Sequence, residues 1–212
     1  VVILLEDYRR SRTLKSIFLA GVFSGLAFGC KYPAGVIFLA GLFSLLIFFL
    51  KNRSREWIRV IGLFCIGAAL LALPWLIKNI ILTGNPIYPF FFEAGSMSQM
   101  RLNVYQGMQP YGDLLDLFFL PIRATIMGVD GTHGYSVSVG PILLSLGMIA
   151  FLSWEEKKED QKISIANAGW ITLLGLLIWS IGNQFSGYLI QTRFYFVLFP
   201  AFATLAGLGH FQ

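Results

Sequence analysis

Residues 14–50 read, in one-letter code, LKSIFLAGVFSGLAFGCKYPAGVIFLAGLFSLLIFFL. As one helix this run would be roughly 55 Å long at its 1.5 Å rise per residue. A bilayer core is only about 30 Å thick, and about 20 apolar residues cross it. The run is interrupted once, at Lys31-Tyr32-Pro33. Proline is accepted in the first turn of a helix but ends a preceding one. The stretch therefore predicts two short spans, 14–30 and 33–50, joined by a tight turn.

Further apolar segments predict spans at 60–82, 137–154, 163–185 and 194–212. The composition agrees: 56% of the 212 residues are hydrophobic and 13% are charged. Soluble domains carry about a quarter charged residues. The mean hydropathy of +0.70 excludes an ordinary soluble enzyme, a disordered chain and a small secreted scaffold. The expected fold is all-α: a polytopic transmembrane helical bundle of about six spans in a single membrane domain, 1–212. Val1–Leu5 reads as the last turn of an earlier membrane helix, and the chain as an internal piece of a longer protein.

Charge orients the spans. Eleven of the 16 Lys and Arg fall in segments 6–15, 51–59 and 155–162. Span counting puts all three on one side, which the positive-inside rule makes cytoplasmic. The expected setting is a plasma or inner membrane. The net charge of +5 is then a topology signal, and no nucleic-acid partner is expected. Asn52-Arg53-Ser54 forms a glycosylation sequon on the cytoplasmic side, where it is expected to be unused.

Within the spans, Gly21, Gly25 and Gly29 recur every four residues, as a face for close helix approach does. Pro74, between Leu73 and Trp75, predicts a kink in the third span. Trp57 and Trp154 stand where aromatic-belt residues stand. Cys30 and Cys65 lie in apolar runs and read as packing residues. His133 and His210 are far apart, and neither a metal nor a cofactor is expected.

The non-cytoplasmic segment 83–136 is too long for a connector, and segments of that kind carry function. It opens with Thr83-Gly84-Asn85-Pro86-Ile87-Tyr88-Pro89, a rigid non-helical exit. Asp113 to Met127 predicts short amphipathic helices interrupted by Pro121. Leu114, Leu117, Phe118 and Ile122 share a face suited to the membrane surface. The outer acids are Glu93, Asp113, Asp116 and Asp130. Each is a candidate general base or a plain loop charge or cap, and Asp130 with His133 is a candidate acid–base or metal pair. Five basic residues run against the orientation bias: Lys31, Lys78, Arg101, Arg123 and Arg193. Border charges meet anionic groups or snorkel to the interface. Lys31 and Arg193 are the candidates for an anionic headgroup or lipid-linked phosphate.

These residues carry a family resemblance. Ala20-Gly21 through Gly25-Leu26-Ala27 to Gly29-Cys30-Lys31-Tyr32 is similar to the GLxxGLAxxTKY stretch of the GT-C superfamily of membrane glycosyltransferases. Leu73-Pro74-Trp75 through Lys78-Asn79 to Thr83-Gly84-Asn85-Pro86-Ile87-Tyr88-Pro89-Phe90 resembles the PWLxxNxxxTGNPxYPF stretch of its protein mannosyltransferase and aminoarabinose-transferase branches. Gly140-Pro141-Ile142-Leu143-Leu144 and Arg193-Phe194-Tyr195 resemble later landmarks. Cys30 replaces the usual Thr, and Phe194 a frequent Tyr.

The resemblance implies an inverting transferase of the cell envelope. It would move a sugar from a polyprenyl-phosphate donor to a lipid, protein or glycan acceptor at the non-cytoplasmic face. The family's catalytic carboxylate lies in an earlier loop, so no residue here inherits that role. Lys31 and Arg193 would bind the carrier phosphate. Tyr32, Asn85, Tyr88, Asp130 and His133 would shape the substrate side. The alternative is a transporter or flippase subunit without transfer chemistry. It is disfavoured by the lack of a mid-span acid or an internal repeat.

Overall fold

Backbone geometry at 31–35 bears out the predicted turn. Helix α1 (Val2–Ser11) leads into α2 (Leu14–Cys30), which stops where Lys31 turns extended (φ −159°, ψ 126°). Tyr32–Ala34 form one 3-10 turn around Pro33, and α3 (Gly35–Asn52) follows. Pro33 thus sits in a first turn, where its missing N–H leaves nothing unpaired. The remaining helices are α4 (Trp57–Thr83), α5 (Asp116–Met127), α6 (Pro141–Leu152), α7 (Glu159–Phe185) and α8 (Phe199–His210). Val129–Asp130 and Ser136–Val137 pair as a two-residue antiparallel ladder. This computed structural model describes residues 1–53, 55–88, 100, 103, 104, 107, 113–127, 129, 130, 136, 137, 140–185 and 195–210.

Among the described residues, three helices are long and apolar enough to cross a membrane: Tyr32–Asn52, Trp57–Thr83 and Glu159–Phe185. The other expected spans correspond to shorter apolar helices, Leu14–Cys30, Pro141–Leu152 and Phe196–Gly209. A 12-residue helix such as α6 is roughly 18 Å long, well short of a bilayer core. The long helices look like membrane helices by their surfaces also. Only 22% of the most apolar window of Trp57–Thr83 is buried against the rest of the chain. Ile66, Leu70, Leu73, Ile77 and Ile81 of α4 are exposed. A helix apolar all round needs an apolar solvent for its unpacked faces. Pro74 lies inside α4 and does not end it.

Buried apolar side chains form two clusters that share α3. One gathers Leu5 and Tyr8 of α1, Ile17 and Ala20 of α2, Leu45 and Phe49 of α3, and Val60 and Phe64 of α4. The other gathers Val36 and Ala40 of α3, Leu120 of α5, Ala168 and Trp179 of α7, and Phe202 and Leu205 of α8. In each, glycine sets the spacing. A Cβ on Gly21 or Gly25 would overlap the carbonyl oxygen of Phe64 or Ala68, and one on Gly67 would overlap that of Phe18. Helices α2 and α4 therefore touch backbone to backbone, the packing available where lipid removes the hydrophobic drive between helices. Gly29 is different: its Cβ would lie 3.9 Å from the Leu71 oxygen, an ordinary contact. Gly209 of α8 meets the Leu146 carbonyl of α6 in the same backbone-close way.

Segment 6–15, read from sequence as a basic loop, is mostly helix. Arg9 of α1 is half-buried and donates from Nη2 to Ser44 Oγ of α3 (2.7 Å). Ser44 Oγ donates onward to Asn167 Oδ1 of α7 (2.6 Å). Ser164 Oγ donates to Glu6 (2.7 Å), and Ser16 Oγ donates to Asp7. Burial lowers the Arg9 pKa from its ordinary value, and the nearby Glu6 carboxylate works in the opposite direction.

Candidate functional site

Small residues on α4 open a groove against α2 and α3. Ala68, Ala69 and Ala72 form one wall, with Cys65 beside them. Ser24, Gly25 and Phe28 of α2, and Val36, Phe38 and Leu39 of α3, form the others. The cavity has a volume of about 460 Å³ and an apolar lining that includes Tyr32 and Pro33. That volume falls in the range of small-molecule sites, about 300–1,000 Å³. Its walls belong to helices that expose apolar flanks, so the groove suits an apolar chain.

Polar groups converge on the hydroxyl of Tyr32, one of the lining residues. Tyr32 Oη donates to the Tyr88 carbonyl (2.8 Å) and accepts from Asn79 Nδ2 (2.8 Å) and Trp75 Nε1 (3.2 Å). Asn79 Nδ2 also donates to the Pro86 carbonyl (3.2 Å). The Tyr32 ring rests edge-on against Phe28 at 5.5 Å. One side chain from the 31–34 turn thus fastens the last turns of α4 and the chain leaving it.

Local chemistry shapes that exit. Gly84 takes the left-handed conformation (φ 72°) that closes a helix, and its N–H bonds the Ile80 carbonyl (2.9 Å). Asn85 is fully buried, and its Oδ1 accepts from the Ile87 N–H (2.9 Å), an Asx turn. Thr83 Oγ1 donates to the Asn79 carbonyl (2.7 Å). The rigid exit expected from Thr83-Gly84-Asn85-Pro86 is thus built from side-chain-to-backbone bonds.

Lys31 is exposed beside Tyr32. Lys78 Nζ sits 3.6 Å from the centre of the Trp75 ring, whose Nε1 reaches Tyr32. The structure brings Tyr32, Asn85 and Tyr88 of the expected site together through bonds. Asn79 and Trp75, which sequence reasoning left without a role, complete the node. Their four-residue spacing on one face of α4 was the available signal, but only the fold puts Tyr32 opposite them.

Among the acids of segment 83–136, Asp113 and Asp116 are occupied. Asp113 Oδ1 accepts from the Leu115 N–H (2.9 Å), and Asp116 Oδ2 accepts from the Asp113 N–H (3.1 Å). This reciprocal arrangement resembles a capping box. Asp116, 1% exposed, also pairs with Arg123 (2.7 Å). These contacts match the cap reading rather than the base reading. Asp130 is placed by its backbone in the small ladder. Its side chain, and Glu93, Arg101, His133 and Arg193, lie outside the described residues.

Residues 1–95 match a family described as a domain of unknown function, DUF8201. No curated protein and no solved structure matches the chain. The family match covers α1 to α4, and with them every wall of the groove except Ile178 of α7.

Proposed function

We propose that the chain is part of a membrane glycosyltransferase that takes a sugar from a polyprenyl-phosphate carrier and transfers it at the non-cytoplasmic face. The observation that carries this reading is the apolar groove lined in part by Tyr32, whose hydroxyl is hydrogen-bonded to Asn79. A prenyl chain would lie along Ala68 and Ala72, leaving its phosphate at the depth of Tyr32 and Lys31. The GT-C-like stretch at 20–32 supplies Ser24, Gly25, Phe28 and Tyr32 of the groove, and Trp75, Asn79 and Tyr88 of the second stretch bond to Tyr32. In the proposed reaction an acceptor oxygen attacks the anomeric carbon as the bond from that carbon to the phosphate oxygen breaks. The acceptor's proton goes to a base elsewhere in the protein. Lys31, with Arg193, would offset the charge that grows on the departing phosphate. This reading takes α2, α6 and α8 as short crossings that complete six, with segments 6–15, 51–59 and 155–162 cytoplasmic.

Transfer of radiolabelled sugar from a polyprenyl-phosphate donor, assayed in the full-length protein, tests the proposal. Lys31→Ala and Arg193→Ala should each lower turnover by roughly 100-fold, as lost transition-state donors do. Ala72→Phe, which fills the groove, should raise the donor KM. Donor movement across the bilayer without transfer would favour a flippase instead. Full activity in both cation variants would remove the phosphate-binding assignment.

A further inference from the structure

A second surface lies away from the groove, on α5 and the turn that leads into it. Leu114, Leu115, Phe118, Phe119 and Ile122 are 79%, 67%, 69%, 57% and 38% exposed. Leu114 and Leu115 stand in the turn that leads into α5, and Phe118, Phe119 and Ile122, at i, i+1 and i+4, carry the apolar stripe on along the helix. The opposite face is fastened to the bundle. Leu120 is fully buried in the α7 and α8 cluster, and Asp116 is held by Arg123 and by the Asp113 N–H. The stripe is therefore the side that the fold leaves outward.

Its position identifies what it meets. Gln184, in the last turn of α7, donates from Nε2 to the Asp113 carbonyl (3.3 Å), so α5 begins level with the end of that helix. Helix α7 is long and apolar enough to cross a membrane, and it exposes Leu173, Leu177, Ile181 and Phe185 at four-residue steps up to that end. A lipid-facing stripe thus runs up α7 to the level at which α5 presents its own. With 12 residues, α5 is roughly 18 Å long, too short to span a bilayer but long enough to lie along it.

We infer that α5 and the turn before it lie at the membrane interface, with Leu114 and Leu115 of the turn and Phe118, Phe119 and Ile122 of the helix entering the headgroup–acyl boundary of the leaflet at the α7 C-terminal end. The occupant of the stripe is bilayer lipid. This inference rests on the membrane setting and not on the transferase reading. Its consequence is mechanical: segment 113–127 is held between lipid on one face and α7 on the other, which sets the depth of the outer chain.

Site-directed nitroxide labelling of the full-length protein in lipid nanodiscs tests this. Cys30→Ala and Cys65→Ala remove the native thiols, and single labels are placed at Leu115→Cys, Phe118→Cys and Phe119→Cys. Lys158→Cys serves as aqueous reference and Leu173→Cys as hydrocarbon reference. The labels at 115, 118 and 119 should collide with oxygen several-fold more than with a water-soluble nickel complex, at a depth of about 5–10 Å. Nickel accessibility equal to that at position 158 would overturn the inference by placing the stripe in water. Low accessibility to both reagents would overturn it also, by showing that protein covers the stripe.

Discussion

Tyr32 shows how much one hydroxyl can organise. It joins a turn, a helix end and a loop by one donated and two accepted hydrogen bonds. Replacing it by Phe keeps the ring against Phe28 but leaves the Tyr88 carbonyl and an Asn79 proton short of a partner. A buried polar group left that way costs about 1–3 kcal/mol. Thermal unfolding of Tyr32→Phe in detergent should show that loss. A cycle with Asn79→Ala should show coupling above about 0.5 kcal/mol, as bonded neighbours do. Additive effects would mean that the node does not act as a unit. The family resemblance set Tyr32 among the expected substrate-side residues. Its partners were not, because Trp75 and Asn79 lie more than 40 positions away in sequence.

At the scale of the element, the three glycines of α2 divide unequally. Gly21 and Gly25 face the α4 backbone, which cannot give way as a side chain can, whereas Gly29 has room. Gly25→Leu should destabilise the protein by at least about 2 kcal/mol, the mid-range of overpacked sites. Gly29→Ala should stay within about 0.5 kcal/mol, as substitutions away from tight contacts do. Equal effects at the two positions would contradict the backbone-close α2–α4 packing. The four-residue spacing was enough to read a packing face. It could not reveal where α2 and α4 diverge, since that depends on the crossing geometry. Helix α5 repeats the lesson. Its amphipathic character was legible, but the exposed stripe pairs Leu115 and Phe119 with Leu114, Phe118 and Ile122, while Leu117 turns partly inward.

For the whole molecule, the Arg9–Ser44–Asn167 chain of bonds ties α1 to two long helices at once. Ser44→Ala removes the middle link, leaving Arg9 and Asn167 without their shared partner. The expected loss is about 1–2 kcal/mol, the scale of polar bonds between membrane helices. Hydrogen exchange should locate it: amides of Val2–Ser11 should exchange faster while those of α4 stay protected. Unchanged protection of α1 would show that its apolar contacts through Leu5 and Tyr8 suffice.

Composition and the position of Lys31-Tyr32-Pro33 pointed, without coordinates, to an all-helical chain with helices long and apolar enough to cross a membrane, and to where α2 gives way to α3. Apolar length and proline chemistry are local properties, and a bilayer reads them segment by segment. Tertiary structure decided the rest. It showed which helices reach crossing length, that α1 anchors through a half-buried arginine, and that a groove opens where Ala68 and Ala72 face α2 and α3. It gave Asp113 a capping contact and Asp116 an ion pair with Arg123. Those outcomes depend on which side chains meet across the bundle, and hydrophobicity along a chain does not encode such meetings.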